Sequence, residues 1–399
     1  MIRKHIVIAL FALVATVPCT LPAIGGEATD VIVAQQVTLH STVLDEDRQL
    51  IISTPPGYDN SNVRYPVLYI TDGGGDFYHA YGIARNYANY QILPPMIIVA
   101  ITNTDRTRDL TPTHTTNGFH GNQADFLKTS GGADNFLKFI EQDVLPYVEQ
   151  HYRVMPFRVL SGHSFGGLFV FHTFLTRTNL FNGYIAISPS LWWDNQVLPG
   201  KAEDKLGEMS CPRQFLYFTV GGLEDENQVG PNQRMARLLR KDTPEGLTWS
   251  YTIMMDETHG SQGLPALDAG LRFIYSEWEP SREIYDKGLA AVKQHYANLK
   301  QVYGVEVPIP EIGLNIMGYG LLNSGELDKA LEVMALNVEL YPGSPNVYDS
   351  IGDVYAAREE WDKAESSYRK AVELGTAVND TNLPIFKRHL EDVIKRKTP

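Results

Sequence analysis

The chain has 399 residues, of which 43% are hydrophobic and 20% charged, and its formal net charge is −13. These values are typical of a globular protein long enough for two domains, so extensive disorder is not expected. A nucleic-acid interface needs a basic patch. The acidic balance and the absence of any Lys or Arg run argue against nucleic acid as a partner.

The first residues have the three-part pattern of a secretory signal. A cationic start at Arg3–His5 precedes an apolar run over residues 6–17, and small residues follow at 23–26. The run is short for a membrane-spanning helix, so we predict a signal peptide over 1–26 and an exported protein, periplasmic or extracellular. An uncleaved membrane anchor is the alternative.

Cysteine and histidine positions exclude two kinds of stabilisation. Cleavage near Gly25 would remove Cys19 and leave Cys211 without a partner, so no internal disulfide is expected. No Cys/His grouping has zinc spacing, and we predict neither a metal nor a cofactor.

Short apolar segments alternate with amphipathic ones over residues 37–280. The first two segments, 37–44 and 48–54, flank an acidic turn and predict an antiparallel hairpin. The later segments are continuous apolar runs, which indicate strands covered on both faces of a mostly parallel sheet. They are residues 67–71, 97–102, 158–162, 184–188, 215–220 and 249–254. Residues 133–150 instead have helical periodicity. The alternation predicts a three-layer α/β domain.

From residue 281 to 399 the pattern is helical throughout and contains an internal repeat of 34 residues. Gly318 and Gly352 are one period apart, and so are Ala330 and Ala364. This period resembles the tetratricopeptide repeat, in which small residues let paired helices cross closely. We therefore predict a tetratricopeptide-like all-α domain. Its two repeats are expected to be capped by residues 282–302 and 383–397.

The clearest chemical feature is the G-x-S-x-G motif formed by Gly162, Ser164 and Gly166 between a predicted strand and a predicted helix. Glycine is needed on both sides because the serine occupies a strained turn without space for neighbouring side chains. Such an elbow projects the serine hydroxyl above the sheet and leaves the Phe165 N–H free to bind an oxyanion. The context favours Ser164 as the nucleophile of an α/β-hydrolase three-layer sandwich.

A serine nucleophile needs a base, and in this fold the acid and the histidine follow the serine along the chain. His172 lies on the helix after the elbow, and His295 lies in the helical region. His259 instead follows a predicted strand, at the sheet edge where such enzymes place catalytic groups. We predict His259 as the base, with an exposed loop histidine as the alternative.

The acid is expected after the preceding strand, where Glu224, Asp225 and Glu226 stand in a row. One of them would orient the histidine, and spacing does not choose among the three. A second oxyanion donor is expected in the glycine-rich loop over residues 71–76, where we select the N–H of Gly74. The alternative interpretation is that this loop is a flexible turn without a functional role.

Aromatic and basic residues near these motifs are candidates for contacting substrate. Trp192 and Trp193 follow a predicted strand and are expected near the mouth of the site, where they suit an aromatic or bulky acyl group or support the loop. Arg106, Arg108 and Asp109 are expected to join two loops by an ion pair. An arginine that receives an acidic substrate, Arg108, is the alternative.

These stretches resemble the bacterial esterase family that includes esterase D, enterochelin-type siderophore esterases, feruloyl esterases and mycolyltransferases. The matching segments are residues 65–73, 106–113, 131–153, 158–171, 188–194 and 220–226. The siderophore-esterase-like branch is the most similar. The resemblance implies Ser164 and His259 as the catalytic pair and favours Glu224 as the acid, with Asp225 as the alternative.

The leading functional hypothesis is a carboxylic-ester hydrolase that acts on a small-molecule ester through an acyl-enzyme. One alternative is acyl transfer to an alcohol by the same triad, as in mycolyltransferases. Another is a non-catalytic scaffold, in which the helical repeats bind a protein partner or a second copy of the chain. The ester itself stays undefined because loop side chains, especially in residues 113–130, line the pocket.

Overall fold

The computed structural model describes residues 30–60 and 62–397. The predicted signal peptide and Cys19 lie outside the described residues, whereas Cys211 is a buried free thiol. From Ala34 onward the chain forms one compact unit. None of the described helices combines the length and the apolarity that crossing a membrane requires.

Eight strands in the described residues form one sheet. Their bounds are β1 Gln35–Ser41, β2 Glu46–Ser53, β3 Tyr65–Ile70, β4 Ile97–Ile101, β5 Val154–His163, β6 Gly183–Ile187, β7 Ser210–Gly221 and β8 Glu245–Met254. The order across the sheet is β1-β2-β4-β3-β5-β6-β7-β8. The pairs β1–β2 and β2–β4 are antiparallel and the others are parallel. The predicted α/β fold with an antiparallel start is confirmed.

Helices cover both faces of this sheet. Their bounds are α1 Gly73–Asn89, α2 Arg106–Leu110, α3 Ala133–Phe139, α4 Leu145–His151, α5 Phe165–Thr176, α6 Trp193–Lys205, α7 Glu226–Lys241 and α8 Gly263–Ile274. Helices α1 and α8 pack on one face, while α3, α5, α6 and α7 form the layer on the other. Every residue of β3, β4 and β6 is buried between these layers, which explains their continuous apolar sequences.

Two local features differ from the sequence predictions. Residues 133–150 are helical as predicted, but the π-helical turn Ile140–Val144 joins α3 to α4. The glycine-rich segment after β3 is not a loop, because its glycines form the first turn of α1. Asp72 precedes that turn in a left-handed conformation with φ 59°. A helix N-terminus, which has free N–H groups, therefore lies where the loop was expected.

The remaining helices form the all-helical region after the sheet domain. Their bounds are α9 Arg282–Asp286, α10 Leu289–Tyr303, α11 Glu311–Asn323, α12 Leu327–Leu340, α13 Pro345–Ala357, α14 Trp361–Ala377 and α15 Leu383–Lys397. The 34-residue period corresponds to two helical hairpins, α11–α12 and α13–α14. The all-helical region is as predicted, and the tetratricopeptide assignment stays a prediction.

The repeated glycines lie where each hairpin crosses. A Cβ added at Gly318 would lie 2.5 Å from the Met334 side chain, and one added at Gly352 would lie 2.5 Å from Tyr368. Such distances are closer than non-bonded atoms tolerate, so a larger residue at either position would force the Met334 or Tyr368 side chain to move.

Aromatic side chains hold the helical region against the sheet domain. The Tyr303 ring lies 5.3 Å from that of Phe157 and 5.7 Å from that of Tyr275. Phe157 is seven residues before Ser164 along β5, which corresponds to about 20 Å. The helical region therefore contacts the end of the sheet opposite Ser164.

Candidate active site

Ser164 forms a strained corner between β5 and α5. Its backbone has φ 60° and ψ −112°, a conformation that non-glycine residues rarely adopt. A Cβ on Gly162 would collide with the Thr71 side chain and lie 2.5 Å from the backbone of Gly166, and one on Gly166 would meet the same threonine. The motif glycines thus bring β3 and the elbow together, as a nucleophile elbow requires.

His259 and Glu224 are paired at the same edge of the sheet. The Nδ1 atom of His259 lies 2.6 Å from Oε2 of Glu224, whose side chain is only 3% exposed. Burial alone would raise the pKa of Glu224. Hydrogen bonds from His259, from the Gly221 N–H and from the Ser188 hydroxyl outweigh it and hold this pKa below its ordinary value. Glu224 is therefore ionised and oriented towards the histidine.

The other two carboxylates of this loop have different positions. Asp225 is exposed and caps α7, accepting a 2.8 Å hydrogen bond from the backbone N–H of Asn227. Glu226 is the first residue of α7 and is also exposed. Of the three acids that spacing left open, the structure brings Glu224 to His259.

Ser188 and Gln228 support this pair, and neither was predicted from the sequence. The Ser188 hydroxyl lies 2.8 Å from both Glu224 oxygens and 3.0 Å from Nδ1 of His259. Gln228 Nε2 donates to the Ser188 hydroxyl and to its backbone oxygen, each at 2.9 Å. Ser188 directly follows β6 with a positive φ of 38°. A polar residue at a strand end was the available signal, but it is a weak one.

Ser164 and His259 line one cavity, although no hydrogen bond joins them in this conformation. The Ser164 hydroxyl instead lies 3.4 Å from that of Ser190. Catalytic hydrogen bonds often shorten only when substrate is bound, so this geometry is compatible with a nucleophile–base pair.

Two helix N-termini lie beside Ser164. Phe165 is the first residue of α5, and Gly74 is an exposed residue in the first turn of α1. The start of α1 lies near the elbow, since the Asp72 carboxylate is 3.1 Å from the position that a Cβ on Gly166 would occupy. N–H groups at helix starts suit a developing negative charge. Both predicted oxyanion donors are thus at the catalytic edge, but Gly74 is not among the residues that line the cavity.

The substrate-binding prediction for Arg108 needs correction. Arg108 donates to Glu46 at 2.6 Å and to Asp109 at 2.7 Å, which orients it towards the start of β2. Arg106 is the arginine that lines the cavity. Its guanidinium forms a bidentate pair with Asp72 at 2.6 and 2.9 Å. The two arginines are two residues apart on a short helix, so their side chains diverge.

The two adjacent tryptophans also lie in different surroundings. Trp192 lines the cavity, whereas Trp193 is fully buried and donates from Nε1 to Thr113. The Trp193 ring lies 5.2 Å from that of Phe165, edge to face. Trp192 is therefore placed to contact a substrate, and Trp193 supports the elbow from beneath.

The space above Ser164 is a cavity of about 580 Å³, here called the catalytic cavity. Four aromatic rings and one leucine line it together with polar and charged groups, a combination that is common in small-molecule sites. The lining residues are Arg106, Gly118, Phe119, Phe126, Ser164, Phe165, Ser190, Trp192, Leu223, Glu224, Asp225, Gln228 and His259.

His163 lies beneath the site with its ring 4.7 Å from that of His259. Burial, together with the charge that His259 can carry, lowers the pKa of His163 to about 4. A neutral ring therefore packs against His259 at physiological pH.

A group with metal-ligand spacing among the described residues lies far from this cavity, in the helical region. It consists of Asp349, Asp353 and His389. His389 Nδ1 lies 3.0 Å from Asp349, and the hydroxyls of Tyr319 and Tyr368 donate to Asp353. These carboxylates are thus already engaged by protein groups.

The strand order, the serine elbow and the histidine at the carboxyl edge define an α/β-hydrolase fold. A family profile described as "Putative esterase" matches residues 41–238. The ferri-bacillibactin esterase BesA of Bacillus subtilis is 32% identical over 239 residues, which cover 55% of this chain and 81% of that protein. The chain therefore belongs to this esterase family, in which it is siderophore-esterase-like.

Two further relatives support this assignment. A siderophore enterobactin esterase of Emericella nidulans is 32% identical over 174 residues, 36% of this chain. The match spans 56% of that protein, little more than half its length. A crystal structure of an IroE-like serine hydrolase from Shewanella oneidensis superposes with a TM-score of 0.68 at 28% identity. It covers 77% of this chain and 99% of its own.

Proposed function

We propose that this protein is an exported serine carboxylic-ester hydrolase that acts through an acyl-enzyme, with Ser164, His259 and Glu224 as its triad. The observation that carries the proposal is the 2.6 Å contact between His259 and the buried Glu224, in the cavity that also contains the strained Ser164. The N-terminal signal pattern supports export.

The reaction follows from these positions. Ser164 attacks the ester carbonyl carbon while His259 takes its proton, and the ionised Glu224 stabilises the resulting imidazolium. The N–H group of Phe165 binds the oxyanion, and the N–H of Gly74 at the start of α1 is the proposed second donor. His259 then protonates the departing alcohol. A water molecule deprotonated by His259 cleaves the acyl-enzyme, which releases the acid and restores the serine.

The proposed acyl group is aromatic. The rings of Phe119, Phe165 and Trp192 line the catalytic cavity and offer faces and edges for stacking. The relatives named as siderophore esterases favour a siderophore ester as the substrate.

Turnover of an ester panel tests the proposal. The panel contains simple aryl esters, feruloyl esters and siderophore trilactones, assayed with wild type, Ser164→Ala and Ser210→Ala, whose serine is exposed at the start of β7. We expect cleavage of aromatic acyl esters, a fall in kcat of about 10⁴-fold in Ser164→Ala and no change in Ser210→Ala. Equal rates in wild type and Ser164→Ala would contradict the proposal.

A further inference from the structure

A second cavity adjoins the catalytic cavity. Its volume is about 910 Å³, and we call it the polar cavity. Gly118, Phe119 and Trp192 line both cavities. The Phe119 and Trp192 rings are 5.1 Å apart and form the boundary between them. Because one pair of rings separates the two spaces, a single substrate can place one part in each.

The polar cavity has a different chemical character from the catalytic cavity. Asp194, Asn195 and Gln196 line one side, and Glu226 and Asn227 at the start of α7 line another. Amides and carboxylates thus stand beside the two rings that this cavity shares with the catalytic cavity. Among the described residues that line this cavity, none is Lys or Arg.

The two carboxylates that line the polar cavity are unpaired. Asp194 and Glu226 make no ion pair and no side-chain hydrogen bond within the described part of the chain, and Glu226 is exposed. Asp225 lies at the margin, with Oδ2 3.8 Å from Nε2 of His120. The lining side chains therefore carry net negative charge, which Arg234, donating to the Gln196 side chain at 3.2 Å, offsets in part. An anionic group there would be repelled, whereas hydroxyls, amides or a cation would find acceptors.

We propose that the polar cavity is the subsite for the alcohol part of the ester, and that it takes a neutral hydroxyl- or amide-rich alcohol or a cationic one. This inference rests on the proposed function. The acyl group stays bonded to Ser164 and so must remain in the catalytic cavity, whereas the alcohol departs and needs a separate space. Together the cavities exceed what a simple aryl ester fills, which favours a branched ester with a polar alcohol.

Four benzoate esters with one acyl group and different alcohols test the inference. They are the ethyl, glyceryl, choline and 3-carboxypropyl esters, compared by kcat/KM in wild type and in the Asp194→Asn/Glu226→Gln double variant. The control is Glu208→Gln, which removes an exposed carboxylate just beyond the other end of α6. Asn is well tolerated at the left-handed position of Asp194, so the double variant preserves the backbone.

In wild type we expect the 3-carboxypropyl ester to have the lowest kcat/KM and the glyceryl and choline esters to exceed the ethyl ester. The double variant should raise kcat/KM for the 3-carboxypropyl ester about tenfold and lower it for the choline ester about threefold, with the ethyl ester unchanged. Glu208→Gln should change none of these values.

Two results would overturn the inference, and they are distinguishable. In the first, the ethyl ester is cleaved but the four esters keep the same relative kcat/KM values in wild type and double variant. The polar cavity would then not be the alcohol subsite, and the proposed esterase function would still stand. Failure to cleave any of the four esters, together with inactivity on every ester of the larger panel, would remove the proposed function and this inference with it.

Discussion

The elbow at Ser164 and the helical hairpins both depend on glycine, but for different reasons. At the elbow, Gly162 and Gly166 let backbone and a threonine approach a serine held at φ 60°. In the hairpins, Gly318 and Gly352 admit the side chains of a partner helix. The first pair supports a strained, reactive conformation and the second supports dense packing. The same residue type therefore indicates a functional site in one region and a structural contact in the other.

The largest expected effect is at the base. His259→Ala should lower kcat about 10⁴-fold because Ser164 would lose the group that accepts its proton. The control is His295→Ala in the helical region, where the ring contacts Trp278. Steady-state hydrolysis of an aryl ester measures both variants. Comparable losses in the two would contradict the assignment of the base.

The next prediction distinguishes the neighbouring acids Glu224 and Asp225 by the activity that is lost when each is neutralised. Glu224→Gln should lower kcat about 10²-fold, since it removes the charge that orients and stabilises His259. Asp225→Asn should stay within about threefold of wild type, because Asp225 caps α7 instead. The pH dependence of kcat/KM is the accompanying readout. A larger loss in Asp225→Asn than in Glu224→Gln would reverse the roles given to these residues.

Substitution of a hairpin glycine should change the stability of the protein and leave its activity unchanged. Gly352→Ala should lower the free energy of unfolding by about 2 kcal/mol, because the new methyl group would overlap the Tyr368 ring. Gly320→Ala in α11 meets no atom within 4 Å and should raise it by about 0.5 kcal/mol. Chemical denaturation measures both. Loss of kcat in folded Gly352→Ala would show that the hairpins affect the site.

The smallest expected effect is a pH dependence of stability at His163. Its pKa of about 4 in the folded protein is below the ordinary 6.5, so between these values the unfolded chain binds more protons. Stability should therefore rise with pH across this window and fall by about 1–2 kcal/mol from pH 7 to pH 5. His163→Phe should reduce that fall. If the free energy of unfolding of His163→Phe depends on pH as that of wild type does, a group other than His163 is responsible.

Sequence patterns predicted much of the fold and part of the site. Continuous apolar runs marked the buried strands, and the flanking glycines marked Ser164, because both reflect local constraints. Glu224 and Asp225 could not be distinguished by spacing, since the direction of each carboxylate depends on the turn before α7. Trp192 and Trp193 present the same difficulty at the start of α6.

The polar support of the site was harder to predict. Ser188 contacts Glu224 across 36 residues, and Gln228 reaches Ser188 across 40. Such contacts depend on tertiary structure, and a serine or glutamine carries no local pattern that signals them. Arg108 was selected over Arg106 for the same reason, because neither the position of Glu46 on β2 nor the cavity is visible in the sequence.

Covalent labelling identifies the nucleophilic serine without knowledge of the natural ester. The purified protein is treated with a fluorophosphonate, and the modified peptide is located by mass spectrometry in wild type, Ser164→Ala and Glu224→Gln. We expect one adduct on Ser164 in wild type, none in Ser164→Ala and slower labelling in Glu224→Gln. An adduct on another serine, or full labelling of Ser164→Ala, would contradict this expectation.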